Sequence, residues 1–165
     1  MPSDQPSSIK TDLIGILLDQ RYELQGIIGE GGMGAVYQAS DNLLKREVAI
    51  KVLIGTALKD RHRARLLREA QAVASLNHPN IVSVHDMGDH EGMPYIVMEL
   101  VRGHPLDTIM PVSLERSLRL CLDICHALNH AHAHGVIHRD IKPENVLITE
   151  QDEITKLVDF GLVYK

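Results

Sequence analysis

Residues 29–36 read Gly29-Glu30-Gly31-Gly32-Met33-Gly34-Ala35-Val36, the pattern G-x-G-x-x-G-x-V. Where side chains are missing, backbone N–H groups can approach phosphate oxygens closely. The same glycines would also suit a hairpin turn, so the neighbours must decide. A Walker loop requires Lys-Ser or Lys-Thr after its last glycine, and Ala35-Val36 stands there instead, which excludes a P-loop NTPase. A dinucleotide fold requires a helix opening at the glycines, whereas residues 35–39 alternate like a strand. Glu47 lies near the spacing of a ribose-binding acid and keeps that alternative open, but strand-loop-strand is the better fit.

Three antiparallel strands are expected at residues 22–28, 35–39 and 46–53. Leu66, Leu67, Ala70, Val73 and Ala74 recur at helical spacing, with Arg61, Arg63, Arg65 and Arg68 suggesting a solvated face, so one amphipathic helix is expected over residues 60–76. Asn77-His78-Pro79-Asn80 ends it. Residues 81–84 and 93–100 read as two further strands around an Asp-His-Glu-Gly turn. Beyond Gly103 the periodicity changes to helical. Ser113 caps a helix with Arg116 at the box position, Leu118, Cys121, Leu122, Cys125, Leu128 and His132 follow one stripe, and Gly135 ends it. Short strands follow at residues 146–149 and 154–158.

Composition narrows the function. Of 165 residues, 44% are hydrophobic and the net charge is −5, which suits one folded domain and argues against phosphate-backbone binding. One Phe, four Tyr and no Trp leave little to stack nucleobases, so no nucleic-acid partner is expected. The two cysteines, Cys121 and Cys125, make neither a disulfide framework nor a paired zinc motif, and a reducing, cytoplasmic setting is expected. The apolar run 13–18 is too short to cross a bilayer, and no membrane segment is expected in this chain. His126, His130 and His134, four apart beside Cys125, raise a metal-site alternative, but no closed ligand set accompanies them and they read as solvated or core histidines.

Val48-Ala49-Ile50-Lys51 sets a lysine on a strand next to the glycine loop. A buried ammonium there could hold phosphates if a carboxylate fixed it, and Glu69, beside the helix's apolar stripe, is the candidate. His138-Arg139-Asp140-Ile141-Lys142-Pro143-Glu144-Asn145 follows, and Asp159-Phe160-Gly161 comes fourteen positions after Asn145. With these four ordered signatures the chain resembles the protein kinase family, specifically bacterial serine/threonine kinases related to the eukaryotic ones.

The resemblance implies an α+β, protein-kinase-like fold: a five-stranded N-lobe with one regulatory helix, then a mostly helical, truncated C-lobe ending just after Asp-Phe-Gly. Residues 1–18 would be a flexible leader, 19–100 the N-lobe and 101–165 the partial C-lobe. It implies ATP and Mg²⁺ as cofactors, with Asn145 and Asp159 as metal ligands, Asp140 accepting the proton of the incoming hydroxyl, and Lys142 stabilising the γ-phosphate. Lys51, paired to Glu69, would hold the α- and β-phosphates. The loop of Gly29, Glu30, Gly31, Gly32, Met33, Gly34 and Ala35 would close over them. Ile28, Val36, Ala49 and Leu147 would sandwich the base, Met98 would be the gatekeeper, and Glu99 and Val101 would belong to the hinge.

Lys142, two positions after Asp140, resembles kinases acting on serine or threonine. Arg139 resembles the arginine that pairs with a phosphorylated activation loop, and Phe160 the residue that packs beneath the regulatory helix. The implied activity is transfer of the ATP γ-phosphoryl group to a protein Ser/Thr hydroxyl. The alternative is a catalytically impaired nucleotide-binding or regulatory module that docks on another kinase or on the missing C-lobe.

Overall fold

The computed structural model describes residues 13–31, 34–53, 68 and 70–160. Contacts divide the chain into two units, one drawn from Met1–Arg63 and His85–Leu100 and the other from Ala64–Val84 and Val101–Lys165.

In the first unit, the described residues form an antiparallel sheet from β1 (Leu17–Leu18), β2 (Tyr22–Gly31), β3 (Gly34–Asp41), β4 (Arg46–Leu53), β5 (Val84–His90) and β6 (Met93–Glu99), in the order β1-β2-β3-β4-β6-β5. Period-2 alternation gives the sheet one packed face. Leu24, Tyr37, Val48, Ile50, Val52, Tyr95 and Val97 share a core from which water is almost wholly removed.

β1 corrects the expected leader. Leu13 and Leu18 are buried in that same core, and Leu17 and Leu18 pair with Glu23 and Tyr22, so ordered structure begins before the expected boundary at 18. The turn into β2 places both Asp19 and Gln20 at positive φ, with Arg21 N–H donating to the Leu18 carbonyl at 2.9 Å. Two successive residues at positive φ make a primed turn, here inside a three-residue connection between the paired Leu18 and Tyr22 and without the usual Asn-Gly signal. The connection between β5 and β6 is a two-residue one and carries its signal openly in Glu91-Gly92, both at positive φ.

A second correction concerns residues 81–84. The strand expected there begins only at Val84, while Ile81 forms a parallel bridge to Leu157 in the second unit. Residues 64–84 belong to that unit rather than to the expected 19–100 lobe, because Val73, Leu76 and Ile81 pack with Leu120, Ala127, Ala131, Val136 and Leu157. Of the expected helix at 60–76, residues 68 and 70–74 are described and helical; Glu69 lies outside the described residues.

The second unit also contains β7 (Gly103–Pro105), α1 (Leu106–Ile109), α2 (Leu114–Ala133), β8 (Val146–Thr149) and β9 (Thr155–Leu157), with the strands ordered β7-β8-β9. Ser113 caps α2 as expected, its hydroxyl accepting from Arg116 N–H. The buried stripe differs from the expected one: Leu120, Ala127 and Ala131 face the core, whereas Leu118 and Leu122 are exposed, as are Cys121 and Cys125. Small alanines at the contact let the helix approach its neighbours closely, and size is a property that a hydrophobic period does not read. No helix among the described residues is long and apolar enough to cross a membrane.

Candidate active site

In the first unit the ladder register decides which residues share a face. Val36 of β3 pairs with Lys51 of β4, and Lys51 pairs with Ile96 of β6. Two residues along, Ala49 pairs with Met98, and on the other flank Gly29 pairs with Val36. Directly opposed residues point to the same side, so Gly29, Val36, Ala49, Lys51, Ile96 and Met98 lie on one face, opposite the Tyr37–Val97 core. The ammonium-bearing Lys51 is buried, as are Ala49 and Met98. Ala35 departs from expectation: its side chain is 1% exposed and belongs to the core face, so only its backbone is available to a ligand on the other side. Ile28 sits at a register shift between Ile27 and Gly29 and is half exposed. Glu99 ends β6 and is partly buried.

The glycines are not equivalent. A Cβ on Gly34 would lie 2.0 Å from the Val52 carbonyl oxygen, so packing alone demands glycine there. A Cβ on Gly29 would meet only ordinary contacts with Val36, and on Gly31 nothing within 4 Å. The fold leaves room for side chains at these two positions. Gly32 and Met33 lie outside the described residues.

In the second unit the candidate residues come together through side-chain hydrogen bonds. The loop after α2 turns through Lys142 into a single 3₁₀ turn at Pro143–Asn145, with proline in its first position, where no N–H is needed. Asn145 is buried, and its Nδ2 donates to the Asp140 backbone carbonyl at 2.8 Å and to Asp140 Oδ2 at 3.0 Å. Lys142 Nζ lies 3.0 Å from that same Oδ2. Hydrogen bonding from Lys142, helped by Asn145, holds the Asp140 carboxyl below its usual range, and Asp140 in turn raises the Lys142 ammonium. At neutral pH the pair is a carboxylate beside a cation.

His138 ties this loop to the end of β9. It is 1% exposed, and its ring packs at a tilt of 50° against Phe160, 4.5 Å between centroids. Nε2 lies 2.9 Å from the Val158 carbonyl, and Asp140 N–H points to Nδ1 at 3.3 Å. A carbonyl can only accept and an amide N–H only donate, so the ring is neutral with its hydrogen on Nε2. Burial, the strongest influence on the ring, correspondingly lowers its pKa. Val158 N–H donates to the Asn145 carbonyl at 3.0 Å, which closes a circuit from Asp140 through His138 and Val158 back to Asn145.

Asp159 follows Val158 directly, and both Arg139 and Asp159 have positive φ, at 64° and 59°. Neither is glycine, and such conformations cost about 1–3 kcal/mol each. The motif spacing foretold the four polar residues but not this strain or the role of the Val158 peptide, since left-handed backbone at Arg or Asp has no sequence signature. Asn145 fits a hard cation: with its amide nitrogen committed to Asp140, its carbonyl oxygen is the atom that could meet one, and Asp159 offers carboxylate oxygens. Leu147 sits in β8 opposite Lys156 and Pro105, partly buried, on the side away from Val146 and Ile148. Val101 is likewise partly buried.

The protein kinase domain family matches residues 22–165. Among curated relatives, the serine/threonine-protein kinase PknB of Mycolicibacterium smegmatis is 45% identical over 88% of this chain, and PrkC of Bacillus subtilis 43% identical over 91%. The chain spans 24% of the length of each. Among solved structures, the PknI kinase domain of Mycobacterium tuberculosis superposes with a TM-score of 0.79 at 32% identity, covering 91% of this chain and 63% of that one. The family match therefore takes in the glycine strands, the Lys51 face and the Asp140 loop together, and this chain belongs to the protein kinase family.

Proposed function

We propose that the protein of which this chain is a part transfers the γ-phosphoryl group of ATP to a serine or threonine hydroxyl of a protein. The observation that carries this reading is the Asp140–Lys142–Asn145 cluster, locked to the segment that bears Asp159. Phosphoryl transfer needs little covalent participation from the protein. It needs an aligned hydroxyl, cations on the phosphates and exclusion of water.

Each residue has a task its environment supports. Asp140, kept ionised by Lys142, accepts a hydrogen bond from the incoming hydroxyl and orients it. Because its pKa is depressed it is a weak ground-state base, so its contribution is alignment until the transition state makes the hydroxyl proton acidic. Lys142 supplies a positive charge beside that position. Asn145 and Asp159 would hold Mg²⁺, which when bound neutralises charge building on the phosphate oxygens. In the first unit, Lys51 would hold the α- and β-phosphates, with Glu69 as its partner.

Gly29 and Gly31 leave space that the fold does not require, which suits backbone N–H groups meeting phosphate oxygens. In the first unit Ile28, Val36, Ala49 and Met98 would offer apolar surface to the base and Glu99 hinge backbone; in the second, Leu147 would offer apolar surface and Val101 backbone. A reducing, cytoplasmic setting goes with this reading, since Cys121 and Cys125 are free, exposed thiols.

The test is calorimetry with Mg²⁺-ATP, followed by phosphoryl transfer to a generic basic protein, on this chain and on a version extended to a full kinase domain. Nucleotide binding by both and turnover by the extended form is the expected result. Binding without turnover in the extended form would favour a nucleotide-binding regulatory module, and absence of binding in both would overturn the proposal.

A further inference from the structure

The C-terminal half of α2 carries histidines that the phosphoryl-transfer reading leaves unused. The His130 ring stands 4.4 Å, centroid to centroid, from His134, and 5.2 Å from His78, which lies on the segment following the 70–74 helix. His134 Nδ1 lies 2.8 Å from the His130 backbone carbonyl and donates to it. His130 Nε2 is the one buried side-chain nitrogen or oxygen among the described residues without a hydrogen-bond partner. A buried polar atom left unpaired is costly, and no group of three or more His, Cys, Asp or Glu among the described residues is arranged to hold a metal ion.

His78 connects this stack to the rest of the unit. Its Nδ1 accepts the Asn80 backbone N–H at 3.1 Å, so the neutral ring carries its hydrogen on Nε2. A second proton can enter only at Nδ1, where it would replace that acceptor with a donor facing a donor. Asn80 is the clamp on β9: its Nδ2 donates to the Thr155 carbonyl at 2.8 Å, and its carbonyl accepts Leu157 N–H at 2.9 Å. Val82 N–H completes the pairing on the Leu157 carbonyl at 3.0 Å.

We propose that the His78–His130–His134 stack is a proton-operated clasp: neutral, it seats residues 78–82 against α2 and β9, and at mildly acidic pH His78 takes a proton and the segment loosens. The charged groups around His78 act in one net direction. Burial opposes its protonation first, His130 and His126 of α2 and Lys156 of β9 oppose it further, and Asp123 of α2 alone favours it. Thr155 Oγ1 donates to Asp123 at 2.8 Å, which ties up part of that carboxylate. A histidine whose folded pKa is depressed stabilises the fold fully above its unfolded value near 6.5; the contribution declines as pH falls below that value and is gone once pH passes the lower folded one. His138 responds with the same sign, so the clasp is read as the part that depends on His130.

The test is histidine NMR titration of the 165-residue chain with chelator present, together with hydrogen-exchange protection of the Val82 and Leu157 amides between about pH 7.5 and about pH 5.5. The His78 midpoint should fall below 6.5, and protection at both amides should drop about tenfold for each unit of depression. His130→Phe keeps a ring but removes the facing nitrogens. It should move the His78 midpoint up and shrink the loss of protection. Should that variant not fold, His126→Gln, on the exposed side, carries the same expectation at smaller size. A His78 midpoint at or above 6.5, or protection independent of pH, would overturn the proposal. So would a transition seen only with added zinc and no chelator, which would assign the imidazoles to a metal.

Discussion

The two units hold their candidate residues by different means. On the Lys51 face the positions of Val36, Ala49, Lys51 and Met98 are set by ladder register, which is backbone geometry and indifferent to most side chains. Around Asp140 the positions are set by side chains: Asn145, Lys142 and His138 each make a specific polar contact with a neighbour. Substitutions in the first unit should therefore act locally, and those in the second should propagate. The exception is Gly34, where the backbone itself forbids a side chain.

The largest expected effect tests the loop. Asp140→Asn removes the carboxylate while keeping the shape, and should lower phosphoryl transfer by the amount typical of a positioned acid–base group, about 10²–10⁴-fold, with nucleotide affinity nearly unchanged. The second tests the face. Lys51→Met should weaken nucleotide binding by about 10–100-fold in calorimetry, the value of a charge-assisted hydrogen bond worth about 1.5–3 kcal/mol, while circular dichroism stays constant. Unchanged affinity would mean that this face does not receive the phosphates.

The next two compare a backbone constraint with a side-chain one. Gly34→Ala should cost about 2 kcal/mol or more in chemical denaturation, because Val52 must move, whereas Gly31→Ala should cost under about 1 kcal/mol. Asn80→Ala leaves the Thr155 carbonyl unpaired and should destabilise the second unit by about 1–3 kcal/mol. The smallest effect belongs to the outer face of α2: Leu118→Lys or Leu122→Lys should shift the stability of this chain by no more than about 0.5 kcal/mol. A larger loss at either position would show that the exposed face is covered in solution.

Several elements could be read from sequence because their signals are local. Alternation marked β2, β3, β4 and β6, Glu91-Gly92 marked a hairpin, and Ser113 marked the start of α2. β1 was missed because two leucines and an Asp-Gln turn carry no such signal; the pairing with Tyr22 and Glu23 and burial in the core hold them. The stripe on α2 was misplaced because hydrophobicity selected Leu118 and Leu122, while the packed face is built from Ala127 and Ala131. The pattern marks residues 77–80 only as a helix terminator and 81–84 as a strand of the first lobe, but Asn80 and Ile81 are held by β9, some seventy-five residues away in sequence.

The sequence by itself determined the chemistry available: which side chains are acids, amides, lysines and glycines, and in what order, since spacing along the chain is written in covalent structure. Only tertiary structure decided which of them meet. The Asp140 carboxyl was held below its usual range because Lys142 and Asn145 converge on one oxygen, His138 became neutral because Val158 and Asp140 approach its two nitrogens, and Ala35 turned inward because ladder register placed it there. Protonation, burial and facing direction depend on neighbours in space, and those neighbours exist only once the chain has folded.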